Sequence, residues 1–88
     1  MNENRLNPNP TTIAFYGADW CPDCRRSKRW LTDNNIPFEF FDTDADPEAA
    51  EFVKKINNGN RSIPTILFPG GAKLVEPSNQ ELAAQADQ

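Results

Sequence analysis

Thr11-Thr12-Ile13-Ala14-Phe15-Tyr16-Gly17-Ala18-Asp19-Trp20-Cys21-Pro22-Asp23-Cys24 is the stretch whose reading decides the fold. Its first half is β-branched and aromatic, which predicts a strand from Thr11 to Tyr16 ended by Gly17. Its second half opens a polar, helix-forming segment. Proline suits the first helical position, where its missing N–H costs nothing, so Pro22 starts a helix and Cys21 falls at the N-cap. A strand that feeds a helix through C-x-x-C sets one thiol on the free amides of the helix start. It parks a second thiol one turn further in.

Outward from that stretch the helix is predicted to run to about Asn34, with Trp30 and Leu31 as its heaviest apolar contribution. Phe38 to Asp42 reads as a second strand, mostly apolar on both faces, as in a parallel sheet covered by helices. Asp46-Pro47-Glu48 is a helix start: N-cap, first-turn proline and first-turn acid. Ala49, Phe52, Val53 and Ile56 follow at helical spacing, and Asn57-Asn58-Gly59 ends that helix. Thr65 to Phe68 is a third strand; Pro69-Gly70-Gly71 turns the chain into a short antiparallel fourth, Lys73 to Glu76. Ser78-Asn79-Gln80-Glu81 is a capping box, and Pro77 can staple onto Leu82. The order is β-α-β-α-β-β-α, an α/β fold. Met1 to Pro10, rich in Asn and Pro, reads as a mobile tail, and residues 11–88 as one domain.

Eighty-eight residues suit one domain with a modest core, the hydrophobic share being 38%. No apolar run approaches the roughly 20 residues of a membrane span. The polar first ten residues argue against a signal peptide, so the expected location is cytoplasmic. There, two cysteines are more often catalytic or metal-binding than a permanent staple. The net charge of −4 weighs against nucleic acid. Its acids cluster at Glu39, Asp42, Asp44, Asp46, Glu48 and Glu51, read as a solvated strand end and helix start. The chain has no histidine, which removes Cys–His pairs, Ser–His–Asp triads and Cys₂His₂ zinc.

A cysteine at a helix N-cap accepts hydrogen bonds from first-turn N–H groups and gains from the helix dipole. Such positions lower a thiol pKa from about 8.5 to between roughly 3.5 and 7.5. Thiolate is the attacking species, so Cys21 is the expected nucleophile. Cys24, one turn in, lies close enough for a disulfide without large backbone movement and is the expected resolving thiol. Asp23 reads as an ordinary first-turn acid. Arg25, Arg26, Lys28 and Arg29 form a basic run that is either plain solvation or, through Arg25 and Lys28, support for the thiolate. Trp20 is either plain packing or, next to the nucleophile at a loop tip, a residue that shields the site and offers a surface to substrate. Arg61-Ser62-Ile63-Pro64 is a second candidate region: a cis bond at Pro64 would expose the Ile63 backbone to an extended substrate.

With these pieces assembled, the chain resembles the glutaredoxins of the thioredoxin-fold superfamily. Within them it is most similar to mycoredoxin-type and actinobacterial glutaredoxin-like proteins. The resemblance covers Thr11 to Leu82. It rests on Trp20-Cys21-Pro22-Asp23-Cys24, Arg26, Lys28, Phe52-Val53, Glu76-Pro77-Ser78 and, above all, Asn58-Gly59-Asn60-Arg61-Ser62-Ile63-Pro64-Thr65. It implies a four-stranded mixed sheet flanked by three helices, with a cis Pro64 facing Cys21. It also implies a low-molecular-weight thiol lying along Ile63, its carboxylate at the last helix start near Ser78 and Asn79. Trp20, Pro22 and Arg61 complete the implied substrate surface. Glutathione-dependent relatives commonly carry Tyr where Asp23 stands and Gly-Gly-x-Asp-Asp before the last helix. This chain has Val75-Glu76-Pro77-Ser78-Asn79 there, which favours mycothiol or another bacterial thiol over glutathione. Ser27 and Arg25 replace positions often apolar in relatives, predicting a thinly packed first helix, and the last helix is predicted to fray near Ala86.

The expected function is reduction of mixed disulfides between proteins and a small thiol (mycothiol, glutathione or bacillithiol), with no bound cofactor or metal. Expected partners are S-thiolated or disulfide-containing proteins, the small thiol and a disulfide reductase; neither membrane nor nucleic acid is expected, and the chain reads as a monomer. Two alternatives remain: a general dithiol protein-disulfide reductase, or a dimeric carrier of an iron–sulfur cluster. Two cysteines without histidine cannot close a four-ligand site in one chain, so the carrier would need a dimer.

Overall fold

Alternation along the first strand, β1 (Ile13–Gly17), builds the molecule, because all five of its residues are buried. The computed structural model describes residues 6–86. After β1 come α1 (Pro22–Asp33), β2 (Phe38–Asp42), α2 (Pro47–Ile56), β3 (Thr65–Leu67), β4 (Lys73–Val75) and α3 (Asn79–Ala86). The sheet order is β2-β1-β3-β4. β1 and β2 are parallel, Ile13 facing Phe38 and Gly17 facing Asp42. β3 runs antiparallel to β1 and to β4. The element order and mixed four-stranded sheet are those expected, with strand ends displaced by a residue or two.

Period-two alternation sends Ile13 and Phe15 to one face and Ala14 and Tyr16 to the other. The first pair joins Cys24, Leu31, Ile66 and Leu82 beneath α1 and α3. The second joins Phe41, Ala49, Val53 and Leu67 beneath α2. Ring contacts mark both layers: Phe15 lies 5.7 Å from Phe40, and Tyr16 stacks on Phe41 at 4.8 Å. Each fully buried Leu, Ile or Phe contributes about 1.5–3 kcal/mol, so a core this small tolerates few truncations.

Two expectations change. β2 is not covered on both faces: it lies at the sheet edge, where Phe38 and Phe40 stay half-buried and Glu39 is exposed. Nor is α1 thinly packed, because Ser27 is fully buried in line with Cys24 and Leu31. A small side chain there lets the helix lie close to the sheet.

Local signals account for the ends. Asp46 caps α2 by accepting from the Ala49 N–H at 3.3 Å. Beyond α2, Asn58 and Gly59 both take positive φ, and the Gly59 N–H returns to the Lys54 carbonyl. The capping box of α3 forms reciprocally: the Ser78 N–H donates to Glu81 Oε1 (2.8 Å) and the Glu81 N–H to Ser78 Oγ (3.1 Å). Of the expected tail, residues 1–5 lie outside the described residues. Leu6 packs against the α2-side core, and Asn9 Oδ1 accepts from the Gly70 N–H at 3.2 Å. Among the described residues no helix is long and apolar enough to cross a membrane.

Candidate active site

Cys21 sits at the N-cap of α1 with extended backbone (φ −80°, ψ 117°), and Pro22 occupies the first turn. The Cys24 N–H donates to the Cys21 sulfur at 3.3 Å. Both thiols are free. They differ in access: Cys21 keeps 7% of its surface and Cys24 none. The Cys24 thiol is pushed up from an ordinary 9.0 to about 12, first by burial and then by its hydrogen bond to Cys21. A backbone hydrogen bond from Ala18 opposes the rise, while the charges of Cys21 and Asp23 add to it. Both residues are thus buried, Cys21 with a margin of exposed surface and Cys24 with none, a proton holder beside it.

Gly17 makes that arrangement possible. A Cβ built on it would lie 2.7 Å from Cys24 Sγ and 3.0 Å from the Phe15 ring. The end of β1 must therefore carry no side chain for the helix to seat Cys24. The same residue's carbonyl accepts from the Thr43 N–H at 2.9 Å, tying β1 to the loop after β2.

The second candidate region packs on the same core cluster as the thiols. The Ile63–Pro64 bond is cis, and Ile63 packs against the cluster that contains both cysteines. Thr65 braces the approach to Pro64: its hydroxyl donates to the Ser62 carbonyl at 2.7 Å and accepts from Asn57 Nδ2 at 3.0 Å. The Pro64 carbonyl accepts from the Glu76 N–H at 2.8 Å. Arg61, in the same loop, is exposed.

The remaining candidates are distributed around this centre. Trp20 is 63% exposed, and its indole N–H donates to Asp44 in the loop after β2; the ring stands open beside Cys21. Pro22 is exposed at the helix start. Arg25 donates to the Asp19 carbonyl at 3.0 Å. Lys28 reaches the Asp19 carboxylate at 3.4 Å and stands 3.8 Å above the centre of the Phe40 ring. Both cations expected to support the thiolate are thus engaged around the Asp19 turn. At the α3 start the Ser78 N–H is already given to Glu81, and the Asn79 side chain accepts from Arg26 at 2.8 Å.

Arg26 is the site residue that spacing could not reveal. It also donates to the Pro77 carbonyl at 3.0 Å, so one guanidinium joins α1 to the entrance of α3, 51 and 53 residues away. Among the described residues no group of three or more His, Cys, Asp or Glu is placed to hold a metal ion.

A C-x-x-C pair at a helix start, backed by a mixed sheet and a cis-proline loop, defines the class as thioredoxin-fold thiol–disulfide oxidoreductases. The glutaredoxin family model matches residues 13–72. The chain belongs to the glutaredoxin family. A Mycobacterium tuberculosis protein carrying a glutaredoxin name is 40% identical over 73 residues, 83% of this chain and 87% of its own. Mycoredoxin 1 of Corynebacterium glutamicum is 34% identical over 77 residues, 88% and 95% of the two chains. The crystal structure of a thioredoxin-like protein superposes with a TM-score of 0.73 at 26% identity, covering 83% of this chain and 97% of the other.

Proposed function

We propose that this protein reduces mixed disulfides between proteins and a low-molecular-weight thiol of the mycothiol kind. The observation that carries the reading is the asymmetry of the pair: Cys21 at the amide end of α1 with a margin of exposed surface, Cys24 wholly buried and protonated up to about 12. Similarity to mycoredoxin 1 supports a mycothiol-like partner. In the first exchange the Cys21 thiolate attacks the small-thiol sulfur of the mixed disulfide. The client protein leaves as its thiolate with the electron pair, and Cys21 is joined to the small thiol.

Two routes clear that intermediate. A second small thiol can attack, releasing a small disulfide and restoring Cys21. Alternatively Cys24 gives up its proton to the departing small thiolate and closes a Cys21–Cys24 disulfide. Capture of Cys21 removes its charge, which eases ionisation of Cys24, but burial, the largest cause of the raised value, remains. Resolution by a second small thiol is therefore favoured. The short reach between the two sulfurs keeps the dithiol route available for protein disulfides, with electrons returned by a disulfide reductase.

The test is turnover of mixed disulfides of mycothiol, glutathione and bacillithiol by wild type, Cys21→Ser and Cys24→Ser. Cys21→Ser is expected to abolish turnover, and Cys24→Ser to keep at least half with the preferred thiol, mycothiol. Full loss in Cys24→Ser would move the reading to the dithiol route, and no turnover by wild type would reject it.

A further inference from the structure

Cys21, Arg25 and Arg29 form an i, i+4, i+8 row along α1, and beside that row lies an open groove of about 640 Å³. Arg25, Arg26, Arg29, Trp30, Asp33 and Asn79 line it. The charge is out of keeping with the rest of the molecule. The net charge is −4, yet Arg25, Arg26, Lys28 and Arg29 supply four of its nine Lys and Arg residues within five positions. Arg26 is held in place by Asn79, Pro77 and Asp23. Among the described residues Arg29 is paired with Asp33 at 3.7 Å, and it is 85% exposed.

We infer that this groove docks an acidic segment of the client protein, next to the cysteine whose disulfide Cys21 attacks. The inference rests on the redox reading above and adds the class of client. Eight helical residues separate Cys21 from Arg29, about 12 Å of rise. An extended peptide covers that distance in roughly four residues, so the matching acids stand about two to four positions from the client's cysteine. Three guanidiniums spread over a helical turn, with the Trp30 ring among them, suit several carboxylates on one chain better than the single carboxylate of a small thiol. A long polyanion such as nucleic acid would leave the groove and meet the acidic remainder of the surface.

The experiment uses three peptides with one cysteine each, differing only in two flanking Asp, Asn or Lys residues. Each peptide's cysteine carries thionitrobenzoate in a mixed disulfide. The Cys21 thiolate attacks the peptide sulfur, forms the Cys21–peptide disulfide and expels the coloured thiolate with the electron pair. Cys24 can then displace the peptide. Single-turnover release is followed for wild type, Arg29→Gln and Arg29→Glu at low and high salt. Wild type is expected to favour the Asp peptide over the Lys peptide by about 10-fold at low salt, with the gap closing as salt screens it. Arg29→Gln should narrow the preference and Arg29→Glu should reverse it, the Asn peptide reacting alike with all three. Equal rates for Asp and Lys peptides in wild type would overturn the inference. So would Arg29→Glu slowing all three peptides equally. Failure to react with any peptide would bring down the redox reading, and this inference with it.

Discussion

Cys24 holds its proton chiefly because it is buried, with the Cys21 hydrogen bond next. Its thiol rises from 9.0 to about 12 on folding. Between those values the folded chain keeps a proton that the unfolded chain has released. The stability linked to this group is therefore fully present below pH 9 and is lost as pH climbs through 12. Urea unfolding of the reduced protein between pH ~8 and ~11 should show it. The oxidised protein has no Cys24 thiol and should lack this component. Equal alkaline losses in both forms would contradict the placement of the proton. Gly17 belongs to the same scale: it leaves the space that the Cys24 sulfur fills. In the sequence Gly17 reads only as the end of a strand, since a close approach seven residues away depends on how helix and sheet pack.

Elements and their caps were legible because their signals are local. Cys21 before Pro22, Asp46 before Pro47 and the Ser78–Glu81 box each announce a helix start within four residues, and each forms. Pairing is another matter. That β2 takes an edge, leaving Phe38 and Phe40 half-open, follows from strand order and not from its own apolar run. The Arg26 bridge is equally silent in the sequence, its partners being more than fifty residues away. Arg26→Ala removes charge-assisted hydrogen bonds to Asn79 and Pro77. With the side chain only partly buried, the expected cost is about 1–2 kcal/mol. Hydrogen exchange should quicken across α3 while β1 stays protected. Unchanged exchange in α3 would mean that Leu82 packing alone holds the helix.

At the scale of the molecule, the sheet holds α1 on one face and α2 on the other. The Ile63–Pro64 bond is cis, and Ile63 packs against the core cluster that includes both cysteines. The fold was readable because a C-x-x-C helix start and an X-Pro strand start, 43 residues apart, recur in one architecture. The occupation of the Asn79 side chain by Arg26 was not, since it depends on side-chain reach between α1 and α3. Everything in this reading turns on Cys21 as the sulfur that exchanges first. Cys24→Ser mixed with a client protein carrying mycothiol in disulfide linkage, quenched with acid and weighed intact, tests it most directly. The expected product is the protein heavier by one mycothiol, mapped by peptide cleavage to Cys21, together with the freed client. An unmodified protein beside an unchanged client would contradict it.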